Sequence, residues 1–418
     1  MSDNIYVIGA GQTRYGKFFG RNTKSLVQEA VGQALQQAGV TTAVIEAAWV
    51  GSAAQGILTG QEMIRGQAVL VPLGISGVPI TNVENACASA STAFHGAWTA
   101  LKAGLYDCVL AVGMEKMAFE DPELRRRAME SFSTAVDIED LDWIREEALA
   151  AEAALEAAGR KSAYGEGRSK SLFMDLYAAK ARDHMERHGT RQMDLAIVSS
   201  KNHKHASLNP YAQYRKEISP EEVLSDDLVS YPLTRLMCAP LGDGAAAAIL
   251  CTEAFLDRLE SARPVEVLAS CLTAGAEAPI DGKMPSDRLI EKAYATAGLG
   301  PRDIDVAEVH DATAFSEIVQ VEALGFCEPG QGGALAASRA TSLGGSLPVN
   351  PSGGLESRGH PIGATGLAQI TEIVWQLQGQ CEARQVEGAR IGLTQNSGGN
   401  LRGGASAAYA VHIFGRAF

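Results

Sequence analysis

The sequence is poor in aromatic residues and in positive charge, and it contains no long hydrophobic run. Aromatic side chains make up 6% of the 418 residues, whereas 44 residues are glycine. A composition rich in small side chains is typical of a closely packed globular core. The net charge of −13 argues against nucleic acid and anionic membrane surfaces as partners. No uncharged apolar run approaches the length of a membrane span, so we expect a globular protein that binds neither nucleic acid nor membrane.

Cysteine is scarce and dispersed. The seven cysteines stand singly, at positions 87, 108, 238, 251, 271, 327 and 381. They lack the paired spacing of a zinc site. The opening residues, MSDNIYVIGAGQTRYG, contain no basic leader ahead of an apolar stretch, and we therefore expect no secretory signal. An odd set of dispersed thiols predicts reduced cysteines and a cytoplasmic location.

The chain contains two copies of one α/β pattern. Segment 25–53 predicts an amphipathic helix, a glycine stop and a short apolar strand, and segment 288–313 repeats this order. Segments 85–104 and 359–379 each predict a helix rich in small residues, and each is followed by a strand. Such helices pack closely, and we expect them between sheets rather than on a surface. We infer an internal duplication of an α/β unit.

A polar and strongly charged segment separates the two copies. The predicted organisation is an N-terminal half over residues 1–115, an inserted loop domain over 116–230, a return strand of the N-terminal half over 231–260, and a C-terminal half over 261–418. The charge density of the insert predicts a surface-exposed group of helices and loops. Four histidines of the insert are expected on solvated faces rather than in a metal site: His184, His188, His203 and His205.

Cys87 lies in the segment NACASAST, just before a predicted helix. At a helix start, unpaired amides and the helix dipole stabilise a thiolate, which is the reactive form. The small neighbours Ala86, Ala88 and Ser89 leave room for a substrate near the sulfur. A lone cysteine is more often a buried core residue, so this segment alone leaves both interpretations open.

Three further segments place polar groups where chemistry is common. In NPSGGLESRGHPIGATG (350–366), His360 stands on a glycine-flanked loop, where it could deprotonate a cysteine or donate to an oxyanion; a surface histidine is the alternative. His310 and Asp311 end an apolar strand in EVHDATAFSE. TQNSGG (394–399) supplies flexible backbone amides, and Gly398 is a candidate oxyanion donor.

Together these segments resemble the thiolase superfamily, over almost the whole chain. NACASAST is similar to the segment around the acylated cysteine, GHPIGATG to the catalytic-histidine motif, and HDAT stands where the family has Asn-Glu-Ala-Phe or His-Asp-Cys-Phe. KNHKHASLNPYAQ (201–213) and LGDGAAAAIL (241–250) resemble the sterol-carrier-protein, or lipid-transfer, branch. The resemblance implies a duplicated thiolase fold, five-layered α-β-α-β-α, with an inserted loop domain, in homodimers or dimers of dimers.

The resemblance also implies coenzyme A thioesters as substrates or products, with no metal in this chain. Cys87 would attack an acyl-CoA or 3-oxoacyl-CoA and carry the acyl group. His360 would activate Cys87, and His310 would complete one oxyanion site. The backbone amides of Cys87 and Gly398 would form a second oxyanion site.

The sequence departs from the family at the second cysteine, which acts as acid and base. In the common branch that cysteine belongs to a Cys-x-Gly motif, where this chain has Asn396; in the lipid-transfer branch it follows His-Asp, where this chain has Ala312. An amide can only orient or donate and a methyl group cannot shuttle a proton. Asn396 and Asp311 are therefore expected in supporting roles. The source of the second proton transfer stays open between the substrate, a second role for His360, and a residue elsewhere.

Three hypotheses of function follow. The first is an acyl-CoA C-acyltransferase (thiolase) that cleaves or forms a 3-oxoacyl-CoA, with a branched or aromatic compound of the benzoylsuccinyl-CoA type as one candidate. The second is a thiolase-like acyltransferase or retro-aldolase without thiolysis, and the third is a non-enzymatic acyl-CoA-binding subunit of a complex. Because chains of this branch are often paired with a small zinc-ribbon/OB-fold protein, we expect such a partner. The acidic stretch 137–156 or the loop domain is its candidate docking surface.

Overall fold

The computed structural model describes residues 4–142, 172–259 and 263–418, with isolated positions at 146, 150, 153 and 157. The strands of these ranges are β1 Ile5–Gln12, β2 Ala47–Gly51, β3 Ile80–Val83, β4 Cys108–Glu115, β5 Leu228–Ser230, β6 Leu233–Thr234, β7 Gly244–Thr252, β8 Val265–Ala274, β9 Val306–Glu308, β10 Ile391–Asn400 and β11 Ser406–Arg416. The α-helices are α1 Thr23–Ala38, α2 Gln55–Thr59, α3 Arg65–Leu70, α4 Ser89–Lys102, α5 Pro122–Glu130, α6 Leu172–His188, α7 Gln192–Ser207, α8 Pro220–Ser225, α9 Glu253–Leu256, α10 Pro285–Ala297, α11 Ala314–Ala323, α12 Gly332–Ala337 and α13 Thr365–Gln378.

Nine of the described strands form one continuous sheet in the order β3-β2-β4-β7-β1-β8-β11-β10-β9. The first five belong to the N-terminal half of the pattern and the last four to the C-terminal half. The two groups meet where β1 pairs with β8, through Tyr6 with Glu266 and Val7 with Val265. Each half therefore contributes its own run of strands, and a short antiparallel contact joins the two runs.

Alternating side chains divide the molecule into five layers. Ile5 of β1 and Phe94 of α4 share a central core with Ile373 of α13, whereas Ile8 of β1 joins an outer core with Leu26 of α1. Successive side chains of a strand point to opposite faces, so one strand serves both cores. A third core holds α10 against the far face of β8, β10 and β11. The expected α-β-α-β-α order is confirmed, with α4 and α13 in the middle layer.

The helices and strands of the predicted duplication are present in both halves. Helix α1 ends at Gly39 with φ 67° and is followed by β2, and α10 ends at Gly298 with φ 67° and is followed by β9. Both glycines take the left-handed conformation that closes a helix. The small-residue helices α4 and α13 likewise precede β4 and β10.

The prediction of a solvated insert is wrong for three of its four histidines. His184, His203 and His205 are buried, whereas His188 is exposed. His205 shows why: its Nδ1 hydrogen-bonds the Asn350 carbonyl at 3.0 Å, and its Nε2 accepts from the amide of Leu343 at 3.0 Å. Protein groups replace water around these rings because α6 and α7 share a core with α11 and α12.

Two other expectations about the insert stay as they were. Most of the acidic stretch 137–156 lies outside the described residues, and the domain boundaries remain predictions.

Among the described helices, none combines the length and the apolar character needed to cross a membrane.

The close contact between the starts of α4 and α13 generates a stability prediction. A Cβ atom on Gly366 would lie 2.1 Å from Ser91 Oγ, so Gly366→Ala overpacks this contact and lowers the free energy of unfolding by about 1–3 kcal/mol. Gly32→Ala is the matched control, because Gly32 lies inside α1 with no atom within 4 Å of the added methyl group. This control gains about 0.5–1 kcal/mol. Urea denaturation measures both, and a Gly366→Ala protein as stable as the wild type would contradict the close contact.

Candidate active site

Cys87 occupies a tight turn that leads into helix α4. Ala86–Ala88 forms a 3-10 turn, and Ala86 has φ 47°, a left-handed conformation that a residue with a side chain adopts at a cost. The turn is held by Ser89, whose hydroxyl donates to the Ala86 carbonyl at 2.6 Å and accepts from the Asn85 amide at 3.0 Å. The small residues of NACASAST thus form a tight turn, and Cys87 lies in it, directly before the first turn of α4.

The structure brings three of the predicted site residues into one cluster. The sulfur of Cys87 and a ring nitrogen from each of His310 and His360 all lie within 4.8 Å of one another. The two rings meet edge to face, with centroids 5.4 Å apart. Cys87 comes from the N-terminal half of the chain, whereas both histidines come from the C-terminal half, so the cluster exists only when the halves are packed together.

The hydrogen bond of His360 leaves a basic nitrogen in the cluster. Its Nδ1 lies 2.7 Å from Thr365 Oγ1, and that hydroxyl donates its proton to the Pro361 carbonyl at 3.1 Å. The hydroxyl has one proton, so it must accept from Nδ1–H of His360. The neutral ring then carries its lone pair on Nε2, which is the form that accepts a proton.

The hydrogen bond of His310 produces the opposite tautomer. Its Nδ1 lies 3.1 Å from Asn396 Nδ2, and an amide nitrogen can only donate. In this orientation of the amide group, its oxygen accepts from Ser91 Oγ at 3.2 Å. Nδ1 of His310 is therefore an acceptor, and Nε2 carries the proton. Asn396 thus lies beside His310.

All three groups of the cluster are neutral at pH 7. Burial raises the pKa of the Cys87 thiol to about 12, and the nearby carboxyl groups of Glu115 and Glu84 act in the same direction. Burial lowers the pKa of His310 to about 4. Burial, reinforced by His310 and Arg358, holds the pKa of His360 well below its usual range. The expectation that the helix start lowers the pKa of Cys87 is wrong, because desolvation outweighs the backbone hydrogen bond.

Gly398 lies against the cysteine turn, as expected for a group that acts near the sulfur. A Cβ atom on this residue would lie 2.0 Å from the Asn85 carbonyl oxygen, so strand β10 can approach the turn only with glycine here. Cys87 and Gly398 line one cavity of about 380 Å³, which we call the Cys87 cavity. A second cavity of about 240 Å³, the His310 cavity, borders His310 and shares Asn400 with the first.

Asp311 lies outside the cluster although it is adjacent to His310 in sequence. Its carboxyl group accepts from the Leu355 amide at 2.7 Å and from Asn202 Nδ2 at 3.0 Å. Burial and the neighbouring Glu317 raise its pKa well above the ordinary value. The bond to Leu355 connects the segment that contains His310 to the loop that leads to His360.

Glu115 is a site residue that sequence analysis missed. It ends strand β4 and is fully buried, where its carboxyl group accepts from the amides of Ala53 at 2.9 Å and Gly363 at 3.1 Å. Burial raises its pKa to about 7, and the amide bonds oppose this shift. The sequence feature that could have identified Glu115 is a carboxyl group at the end of the apolar strand CVLAVGME. Through these bonds Glu115 connects Ala53, in the wall of the Cys87 cavity, to Gly363, in the segment that follows His360.

A buried ion pair supports the backbone just before His360. Arg358 Nη1 lies 3.2 Å from Glu308 Oε2, and both side chains are fully buried. Ser352 Oγ donates to Glu308 at 2.8 Å, and the guanidinium of Arg358 lies 5.7 Å from the Tyr15 ring centroid. Removing one partner would leave an unpaired buried charge, so the loop has one well-determined position.

Cysteine and histidine are also metal ligands, and the cluster is compact enough to be considered as a metal site. A metal needs a free lone pair from each imidazole. The bond from Asn396 leaves the other nitrogen of His310 protonated, so the hydrogen bonds fit acid–base chemistry better than metal binding.

Comparisons with known proteins identify the family and the fold of both halves of the chain. Residues 5–230 match the family described as "Thiolase, N-terminal domain", and residues 284–416 match "Thiolase C-terminal domain-like". A solved structure titled "Ltp2-ChsH2(DUF35) aldolase" has the same fold, with a TM-score of 0.76 and 20% identity over 99% of this chain and 98% of that one.

Three curated relatives extend over nearly the whole chain. The chain is 39% identical to an acetyl-CoA acetyltransferase of Methanothermobacter thermautotrophicus, over 99% of this chain and 100% of that protein. It is 36% identical to sterol carrier protein 2 of Bos taurus, over 95% and 70%, and 32% identical to the benzoylsuccinyl-CoA thiolase subunit BbsB of Thauera aromatica, over 95% of each. The chain belongs to the thiolase family.

Proposed function

We propose that this chain cleaves or forms a 3-oxoacyl-CoA through an acyl-enzyme on Cys87. As a member of the thiolase family the chain is an acyltransferase. The observation that carries the proposal is the pair of opposite histidine tautomers around one sulfur, because it supplies a base and a hydrogen-bond donor at the same point.

The two histidines take separate tasks in the first step. Nε2 of His360 accepts the proton of the Cys87 thiol as the sulfur attacks the C3 carbonyl, and burial of the thiol makes this transfer concerted with the attack. Nε2–H of His310 donates to the oxygen that becomes negative. The backbone amides of Cys87 and Gly398 serve a second oxyanion in the same way. The acyl group then passes from Cys87 to the thiol of coenzyme A.

The Cys87 cavity supports a bulky acyl group as the substrate. Its volume of about 380 Å³ lies in the range of small-molecule sites. Small and apolar side chains form much of its wall: Ala53, Ala54, Ile57, Phe132 and Leu401. We propose a branched or aromatic 3-oxoacyl-CoA, of which a benzoylsuccinyl-CoA-type compound is one candidate, since a relative is named a benzoylsuccinyl-CoA thiolase subunit.

Because the usual second cysteine is absent, a second type of reaction remains a candidate. Ala312 and Asn396 occupy the two positions where the family has that group. An acyl transfer that breaks no carbon–carbon bond needs no proton transfer from it, and we retain a thiolase-like acyltransferase or retro-aldolase without thiolysis as the second candidate. A non-enzymatic acyl-CoA-binding subunit is disfavoured, since binding alone requires neither a base nor a fixed tautomer beside a thiol.

We also propose that the chain works in an assembly. One relative is named a subunit and one solved neighbour is titled as an aldolase of two named components, Ltp2 and ChsH2(DUF35), which supports a small zinc-ribbon/OB-fold partner. Strand β3 is at the edge of the sheet, and the nearby Met63 and Ile64 are 78% and 62% exposed. This edge supports a homodimer or a dimer of dimers. The cytoplasmic location remains a prediction from the dispersed cysteines.

Covalent catalysis predicts one acyl adduct on the protein. Intact-mass spectrometry after incubation with a panel of acyl-CoAs and 3-oxoacyl-CoAs detects it. We expect the adduct on the wild type and none on Cys87→Ala, because the nucleophile is gone. Cys327→Ala is the control, since Cys327 is also partly exposed but lies outside the cluster. An adduct that survives Cys87→Ala would show that another residue is acylated.

The tautomer of His360 predicts a large effect of a single hydroxyl. Thr365→Val removes the acceptor of Nδ1–H, so the imidazole loses the bond that keeps Nε2 basic. We expect the rate of Cys87 acylation to fall by about 10–100-fold, in line with the loss of one orienting partner. Thr371→Val, on the same helix, is the control, since that hydroxyl is buried without a hydrogen-bond partner. Equal acylation rates in the two variants would refute the role of Thr365.

A further inference from the structure

Cleavage of a carbon–carbon bond requires a proton that the cluster does not supply. When Cys87 takes the acyl group, the other fragment leaves as an enolate, and its C2 carbon must be protonated. Nε2 of His310 is bound to the oxyanion, and His360 holds the proton of Cys87. Ala312 and Asn396 replace the two cysteines that perform this task in the family.

Two nearby carboxyl groups are already engaged. Glu115 accepts amide protons from Ala53, Ala54 and Gly363. Asp311 accepts from Leu355 and Asn202. Neither carboxyl group lines the His310 cavity.

The His310 cavity contains one phenol. Tyr177 of helix α6 lines it together with His310, Ser316 and Ser397. A ring nitrogen of His310 in turn lies within 4.8 Å of the Cys87 sulfur. The phenol is therefore a titratable group that borders the same space as the oxyanion donor.

The wall of the His310 cavity places Tyr177 near the segment that contains the position of the missing cysteine. Ser316, in the first turn of α11, lines the cavity together with Tyr177, and Ser316 Oγ lies 3.0 Å from Thr313 Oγ1. Thr313 directly follows Ala312, where the lipid-transfer branch has its second cysteine. Tyr177 therefore borders the same cavity as the start of the helix that follows Ala312.

We propose that Tyr177 is the second acid and base of this enzyme, donating a proton to C2 of the enolate that leaves after Cys87 is acylated. The inference rests on the proposed acyl-enzyme function and identifies the group that completes it.

The proton and electron balance closes without another reactant. The C2–C3 bond breaks as its electron pair moves to the enolate, and the phenol O–H bond breaks as a C2–H bond forms. The first thioester product leaves, and Tyr177 is a phenolate. The thiol of the incoming coenzyme A gives its proton to this phenolate, and the resulting thiolate attacks the acyl group on Cys87. Cys87 regains the proton held by His360.

The environment of Tyr177 keeps the phenol in the protonated form that the cleavage step uses. Burial raises the pKa of the phenol, so the neutral acid is the resting form. A neutral phenol is ready to protonate an enolate, whereas deprotonation of a thioester at C2 would first require the phenolate.

Two substrates that form the same acetyl-Cys87 adduct distinguish an acid–base role of Tyr177 from a positioning role. Acetoacetyl-CoA forms the adduct by carbon–carbon cleavage and needs a proton on C2, whereas acetyl-CoA forms it by loss of the coenzyme A thiolate and does not. Single-turnover mass spectrometry of Tyr177→Phe measures both rates. We expect acylation from acetoacetyl-CoA to fall about 100-fold or more, while acylation from acetyl-CoA stays within about 3-fold of the wild type.

The control is Tyr294→Phe, whose hydroxyl donates to the Leu324 carbonyl in the outer core; both rates should match the wild type. If Tyr177→Phe slows both routes equally, the residue acts in positioning and the proposal is overturned. Two unchanged rates would also overturn the proposal. A wild type that forms no adduct from these two probes, or from any matched pair of a 3-oxoacyl-CoA and an acyl-CoA in the panel, would overturn the proposed function, and this assignment with it. Thermal unfolding of the variant checks that it is folded.

Discussion

Two helix starts from opposite halves of the chain meet at the centre of the molecule, and glycine is what allows their backbones to come so close. Gly366 of α13 packs on Ser91 of α4, and Gly113 of β4 packs on Ala90. A side chain at either glycine would collide with backbone or Cβ atoms. This contact brings the turn that carries Cys87 to the loop that carries His360. The distances in the site, the two cavities and the chemistry all depend on it.

The same contact explains why the site is neutral and buried. Both imidazoles are buried and the sulfur is desolvated at the wall of the Cys87 cavity, so the charged forms of all three groups are disfavoured. A resting thiolate and imidazolium pair would have to be stabilised against this desolvation. The structure instead fixes where each proton lies, through Thr365 for His360 and Asn396 for His310. Reactivity then comes from orientation: charge develops only as the substrate arrives.

Much of the fold could be predicted from the sequence, because its signals are local. The stop glycines Gly39 and Gly298 and the small-residue helices are visible as patterns within 30 residues. The site motifs around Cys87, His310 and His360 were also visible, and the structure brings them together. These predictions rely on periodicity and on motif resemblance, both of which a single chain displays.

The groups that surround the motifs could not be predicted, because their roles depend on long-range contacts. Glu115 bonds to Gly363, which is 248 positions away, and Tyr177 reaches the site from a helix in the charged insert. The same insert was expected to be solvated, yet His184, His203 and His205 are buried. The pKa of Cys87 was expected in the wrong direction, since a helix start is visible in sequence and desolvation is not.

The central claim is that the two histidines of the site are neutral and of opposite tautomers. Nitrogen-15 chemical shifts of the histidine rings, assigned with His310→Asn and His360→Asn variants, test it most directly. We predict a proton on Nδ1 of His360 and on Nε2 of His310. Because both pKa values are lowered, both rings should remain neutral as the pH falls from 8 to about 5.5. An imidazolium at pH 7, or the same tautomer on both rings, would contradict the account.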